Sequence, residues 1–133
     1  MKDIEYEVYT ALATKLRAEF TGIHTSGEYV NMPASFPHIS IVEQDNYAPV
    51  EYLTNGNAET HSRLMYEINV YSNKKSGKKK EAKDIMNVLD QEMYRMNFVR
   101  TSLSPVPNRD SPTIYRLVAR YEAVTDGTTT YRR

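Results

Sequence analysis

The segment from Leu64 to Arg100 most constrains the fold, because its hydrophobic period changes abruptly after the first strand. Leu64, Tyr66, Ile68 and Val70 alternate with Met65, Glu67, Asn69 and Tyr71, the period of a strand with one face buried. Beyond Ser72 the period lengthens. Ala82, Ile85, Met86, Leu89, Met93 and Met96 fall on the i, i+3, i+4, i+7 spacing, so a helix of about five turns has one apolar side. Between the two lies a turn rich in lysine. A strand, a turn, a helix and then a second strand over Asn97 to Leu103 follow without interruption, and no active-site motif falls among them.

The flanking elements complete the outline. From Asp3 to Phe20 the residues Ile4, Val8, Ala11, Leu12 and Leu16 keep a helical stripe. Lys2, Glu5, Glu7, Lys15, Arg17 and Glu19 take much of the remaining surface. Gly22 is placed to be the left-handed residue after the last turn. Ile23 to Val30 reads as a short strand with a bulge or bend at Gly27. Pro33 and Pro37 bracket the entry to a strand over Phe36 to Glu43, with Ile39 and Ile41 on one face and His38, Ser40 and Val42 on the other. Asp45 to Thr60, with Pro49, Asn55, Gly56 and Asn57, reads as a long loop. Loops beyond about 12 residues tend to bind something or to order on assembly, and a loose hairpin at the Asn55-Gly56-Asn57 turn is the plainer alternative. After a proline-rich connection, Thr113 to Thr125 forms a long central strand. Asp126 to Arg133 is a polar arm without core pattern. The sum is an α+β domain spanning residues 1–133, in which a mixed or antiparallel sheet has both helices packed on one face.

Composition excludes several functions. At 133 residues the chain makes one ordinary domain. Its 17 basic and 17 acidic side chains cancel, so no global charge draws it to nucleic acid or to an anionic membrane. No apolar run approaches the roughly 20 residues of a membrane span, and the first residues are charged and amphipathic rather than a leader. A soluble chain is expected. Without cysteine there is no disulfide, thiolate metal site or cysteine nucleophile, which suits a reducing cytosol. The 11 tyrosines, with no tryptophan, suit half-exposed sheet faces and subunit contacts.

The strongest local signal is Lys74, Lys75, Lys78, Lys79, Lys80 and Lys83, offset only by Glu81 and Asp84. Such a turn can neutralise phosphates, giving steeply salt-dependent DNA binding, but no aromatic residue is interleaved for base stacking. A solvated, solubilising turn is the competing reading. His24, His38 and His61 lie in three separate elements, without the spacing that holds two rings on one ion. No glycine-flanked elbow surrounds a serine. Glu43 with Asp45, or Glu67 across the sheet, offers paired carboxylates for magnesium, but the acid-x-lysine order of a nuclease site is missing. Ser76-Gly77-Lys78 lacks the earlier glycine of a phosphate cradle. The expectation is a protein that is not an enzyme and has no cofactor or metal.

With these elements assigned, the chain resembles the tail terminators of long-tailed bacteriophages with flexible, non-contractile tails, also called tail-completion or tail-to-head joining proteins. The resemblance covers nearly the whole chain. It rests on the N-terminal helix, on Phe36-Pro37-His38-Ile39-Ser40-Ile41, on Tyr66-Glu67-Ile68-Asn69-Val70-Tyr71 running into the lysine turn and the Ala82 to Met96 helix, and on Tyr115-Arg116-Leu117-Val118-Ala119-Arg120-Tyr121. It implies a virion protein, assembled in the host cytoplasm, that forms a hexameric ring at the head-proximal end of the tail tube. The ring stops tube growth and joins the tail to the head-completion, or stopper, protein. Stopper and head-completion proteins of similar length are the alternative family, and a small DNA-binding protein the alternative class. The contact residues expected are Lys74, Lys75, Lys78, Lys79, Lys80 and Lys83, which line the lumen, meet the tube or touch passing DNA, together with Asn55 and Asn57 of the long loop and Tyr131, Arg132 and Arg133 of the arm. No membrane partner is expected.

Overall fold

The computed structural model describes residues 2–30, 33–48, 61–107 and 112–131. In chain order these form α1 (Glu5–Glu19), β1 (His24–Ser26), β2 (His38–Tyr47), β3 (Ser62–Ser72), α2 (Lys78–Arg95), β4 (Val99–Pro105), β5 (Tyr115–Thr125) and β6 (Thr130–Tyr131). The strands make one 6-stranded mixed sheet in the order β1-β2-β3-β5-β4, with β6 on β5. Every pairing is antiparallel except β1 with β2. This is an α+β fold, as the periodicities require.

Both helices cover one face. Val8, Leu12 and Leu16 of α1 and Ala82, Ile85, Met86, Leu89 and Met93 of α2 join Ile39, Ile41, Leu64, Tyr66, Ile68, Leu117, Ala119, Tyr121 and Ala123 in a single core. The helices run antiparallel. Phe20, past the end of α1, shares a recess with Gly77 and Lys80 at the start of α2. At the other end Ile4 and Glu7 meet Arg95 and Met96. A Schellman motif closes α2. Asn97 takes a left-handed φ of 69°, its amide bonds Tyr94 O at 2.9 Å, and the Phe98 amide reaches back to Met93 O at 2.9 Å. Phe98 then turns into the core edge-on to Tyr66, with ring centroids 5.4 Å apart. Gly22 is left-handed as expected, at φ 76°.

The opposite face is polar yet partly closed. Glu67 is buried and accepts from Asn69 Nδ2 at 3.2 Å, Arg120 Nε at 3.1 Å and Gln44 Nε2 at 3.3 Å. Arg116 donates from Nε to Asn69 Oδ1 at 2.8 Å and lies over the Tyr71 ring. The polar half of the alternating β3 pattern thus makes a hydrogen-bonded sheet surface.

Several expectations are corrected. β1 is only His24–Ser26 and runs parallel to β2, because it enters the sheet directly after α1 rather than through a hairpin. Asp45, Asn46 and Tyr47 do not begin a loop. A bulge at Gln44 keeps them in β2, opposite Met65, Leu64 and Arg63. Lys78, Lys79 and Lys80 do not belong to a turn, since α2 starts at Lys78 rather than at Ala82; Lys83 is helical as expected. The first part of the C-terminal arm is not unpatterned. Asp126 Oδ1 accepts from the Thr128 and Thr129 amides at 2.8 and 2.7 Å, and the turn returns Thr130–Tyr131 to β5 as β6. The rest of the expected loop, with Asn55 and Asn57, and Arg132 and Arg133 of the arm lie outside the described residues.

Candidate interaction surfaces

The lysines gather at the N-terminal end of α2, where Gly77 enters the helix at φ 84°. Two of them are engaged. Lys78 Nζ donates to Thr113 O at 3.1 Å, and Lys80 pairs with Asp84 at 2.8 Å, one turn along the helix. Lys74, Lys75, Lys79 and Lys83 are exposed and have no ion pair with a described carboxylate. Cations beside a helix N-terminus oppose its dipole, at about 0.3 to 1 kcal/mol each, so this end of the molecule gains from an anionic neighbour.

The other end of the helix pair is acidic. Beside the start of α1 lies a cavity of about 570 Å³, walled by Tyr6, Tyr9, Ile41 and Tyr66 and rimmed by Asp3, Glu5 and Glu28. Glu43, on the same face of β2 as Ile39 and Ile41, accepts from the Tyr66 hydroxyl at 3.3 Å. One carboxylate oxygen from each of Asp3, Glu5 and Glu43 lies within 4.8 Å of the others. The consequence is electrostatic. Burial, and then the charges of Glu5 and Asp3, push the Glu43 carboxyl up from 4.5 to about 7, while the Tyr66 hydroxyl pulls the other way. Tyr66 is itself raised, by burial and then by Glu43. Like charges at this spacing, partly removed from water, disfavour one another's ionised forms.

Sequence reasoning missed this acidic site. It set Glu43 beside Asp45 or across from Glu67, but the bulge leaves Glu43 opposite Tyr66 and Asp45 opposite Met65, and Glu67 pairs with Val42. Cross-strand partners share a face, so Glu43 stands on the helix side and the other two acids on the far side. The available signal was parity, since Glu43 continues the Ile39, Ile41 series. Two of the histidines also prove to be neighbours. His24 and His38 face each other across β1 and β2, and burial followed by the nearby His24 lowers the His38 pKa.

Of the other expected contact residues only Tyr131 is among the described residues, and it does not join the lysines. Tyr131 is exposed on β6, 6.1 Å from the His61 ring between centroids. It lies at the C-terminal end of α2, where Asn97 Nδ2 donates to Thr130 O at 2.9 Å. Along the outer edge of the sheet, all of β4 is exposed, Val99 and Leu103 included. No helix among the described residues is long and apolar enough to cross a membrane. In comparisons with known protein families and with curated proteins, nothing matches this chain.

Proposed function

We propose that the chain is a ring-forming subunit of a phage tail terminator, which caps the head-proximal end of the tail tube and joins it to the head-completion protein. The observation that carries this reading is the separation of unlike surfaces: a basic end, an acidic cavity at the far end of the same helix pair, and an exposed edge strand. Closed rings are built from heterologous contacts, in which one patch meets a different patch on the next subunit. A molecule with complementary, well-separated patches suits that arrangement. The resemblance of the β2, β3 and β5 sequences supplies the tail setting.

The four lysines with no ion pair among the described residues favour a second reading, a DNA contact. Co-sedimentation separates the two. The ring subunit pellets with purified tail tubes and is retained weakly by DNA. Retention on DNA that collapses as salt rises, with no pelleting on tubes, would establish the DNA-binding reading instead. Binding to isolated heads but not to tubes would assign a stopper or head-completion role.

A further inference from the structure

We propose that the tyrosine-walled cavity at the start of α1 receives the lysine-bearing start of α2 from a second copy of the chain. This deepens the ring-subunit reading and rests on it for the closure of successive contacts into a ring. The pairing itself stands on charge and geometry. The 17 acidic and 17 basic side chains balance over the whole chain but not locally. Asp3, Glu5, Glu28 and Glu43 collect at one end of the helix pair, and Lys74, Lys75, Lys79 and Lys83 at the other. α1 is 15 residues long, so about 22 Å of helix separates the two ends at 1.5 Å per residue. That is more than two Debye lengths at physiological salt, each about 8 Å. The two ends therefore cannot neutralise each other within one copy, whereas between copies they can.

The cavity matches an ammonium on an aliphatic stem. The rings of Tyr6 and Tyr9 line the cavity where a lysine stem can lie, and aromatic faces attract the cation itself, while Tyr66 is fully buried. The carboxylates stand at the rim to receive the charge. The groups facing Glu43 are Asp3 from the N-terminal segment, Glu5 from α1 and Tyr66 from β3. None of these is a cation, and the arriving lysine supplies one. The acidic and basic patches differ, so the contact is head-to-tail and leaves each new subunit with one free end of either kind.

Sedimentation velocity on the full chain and on two sets of variants tests this. The wild type associates as its concentration rises towards about 1 mM, and added salt weakens the association. D3N/E5Q/E43Q removes three of the four acidic groups at the cavity, K79E/K83E reverses two of the four lysines at the basic end, and each alone associates at least about tenfold more weakly. Mixed together they form a one-to-one dimer and nothing larger, because the intact basic end of the first meets the intact cavity of the second. E5Q alone, at an exposed position, keeps the test valid if the triple variant is misfolded by circular dichroism; it weakens association in the same direction. A monomeric wild type, acid variants that associate like the wild type, or a mixture that stays monomeric overturns the proposal. Tails capped normally by D3N/E5Q/E43Q overturn this contact and leave the ring reading standing. A wild type that pairs in solution but caps no tails overturns the ring reading and leaves the contact.

Discussion

Glu43→Gln stabilises the protein at alkaline pH and leaves it unchanged in acid. In the folded chain the Glu43 carboxyl titrates near 7 rather than at its ordinary 4.5, because burial and the neighbouring Glu5 and Asp3 disfavour its charge. Below the ordinary value the group is protonated in both folded and unfolded chains and costs nothing. Between the two values the folded chain keeps a proton that the unfolded chain releases, so stability falls as pH rises, and above about 7 the full penalty is present. At about 1.4 kcal/mol per pH unit, a fully shielded group would cost about 3 kcal/mol. Water reaches this half-buried carboxyl, and screening reduces the cost to about 1 to 2 kcal/mol. Glutamine keeps the shape and an oxygen for the Tyr66 hydroxyl but carries no charge. Urea denaturation of both proteins at about pH 4, 5.5 and 8 reads the difference directly. A gain of about 1 to 2 kcal/mol at the highest pH that vanishes at the lowest is expected. A variant no more stable than wild type at alkaline pH, or a difference that does not change with pH, refutes the electrostatic reasoning.

Three further variants address the core, the polar sheet face and the basic end. Leu89→Ala removes a fully buried side chain from the centre of the α2 stripe and lowers unfolding free energy by about 2 to 5 kcal/mol; an unchanged denaturation midpoint would contradict the helix orientation. Arg120→Ala leaves the Glu67 carboxylate, whose side chain is 7% exposed, without its charged partner, and costs about 1 to 3 kcal/mol by the same assay, less than a fully buried pair because Arg120 is half exposed. Equal stability would mean that the uncharged partners Gln44, Asn69 and Tyr29 suffice to hold Glu67. Lys78→Glu, Lys79→Glu and Lys80→Glu together keep the far-ultraviolet circular dichroism spectrum, since these side chains lie outside the core, yet impair the joining of heads to tails; normal infectious particles would remove the lysines from the mechanism.

Much of the fold was legible because its elements obey simple periods. The α2 stripe and the core half of β3 (Leu64, Tyr66, Ile68 and Val70) survive in the structure, but Glu67, Asn69 and Tyr71 are buried as well, so β3 is not the one-faced strand its alternation implies. The two-faced β5 pattern fits its place between β3 and β4. What escaped were features set by single residues or by partners distant in sequence. A bulge at Gln44 carries β2 to Tyr47 and reverses the side to which Asp45 points, and nothing in the local composition marks it. The β6 return depends on Asp126 gathering two amides, a turn that reads in sequence as a polar tail. Helix propensity in Lys78 to Glu81 outweighed the lysine charge, so α2 begins earlier than its apolar stripe. The basic cluster was visible as a run of like residues. The acidic cavity was not, since Asp3 and Glu5 reach Glu43 only once α1 has packed across β2 and β3.

Electron microscopy of tails assembled with and without the protein tests the terminator assignment most directly, by scoring tube length and the presence of a ring at the head-proximal end. Tubes that are overlong or unable to accept heads in its absence, and capped at fixed length when it is added, are predicted. Tails of normal length with an intact cap in its absence would contradict the assignment.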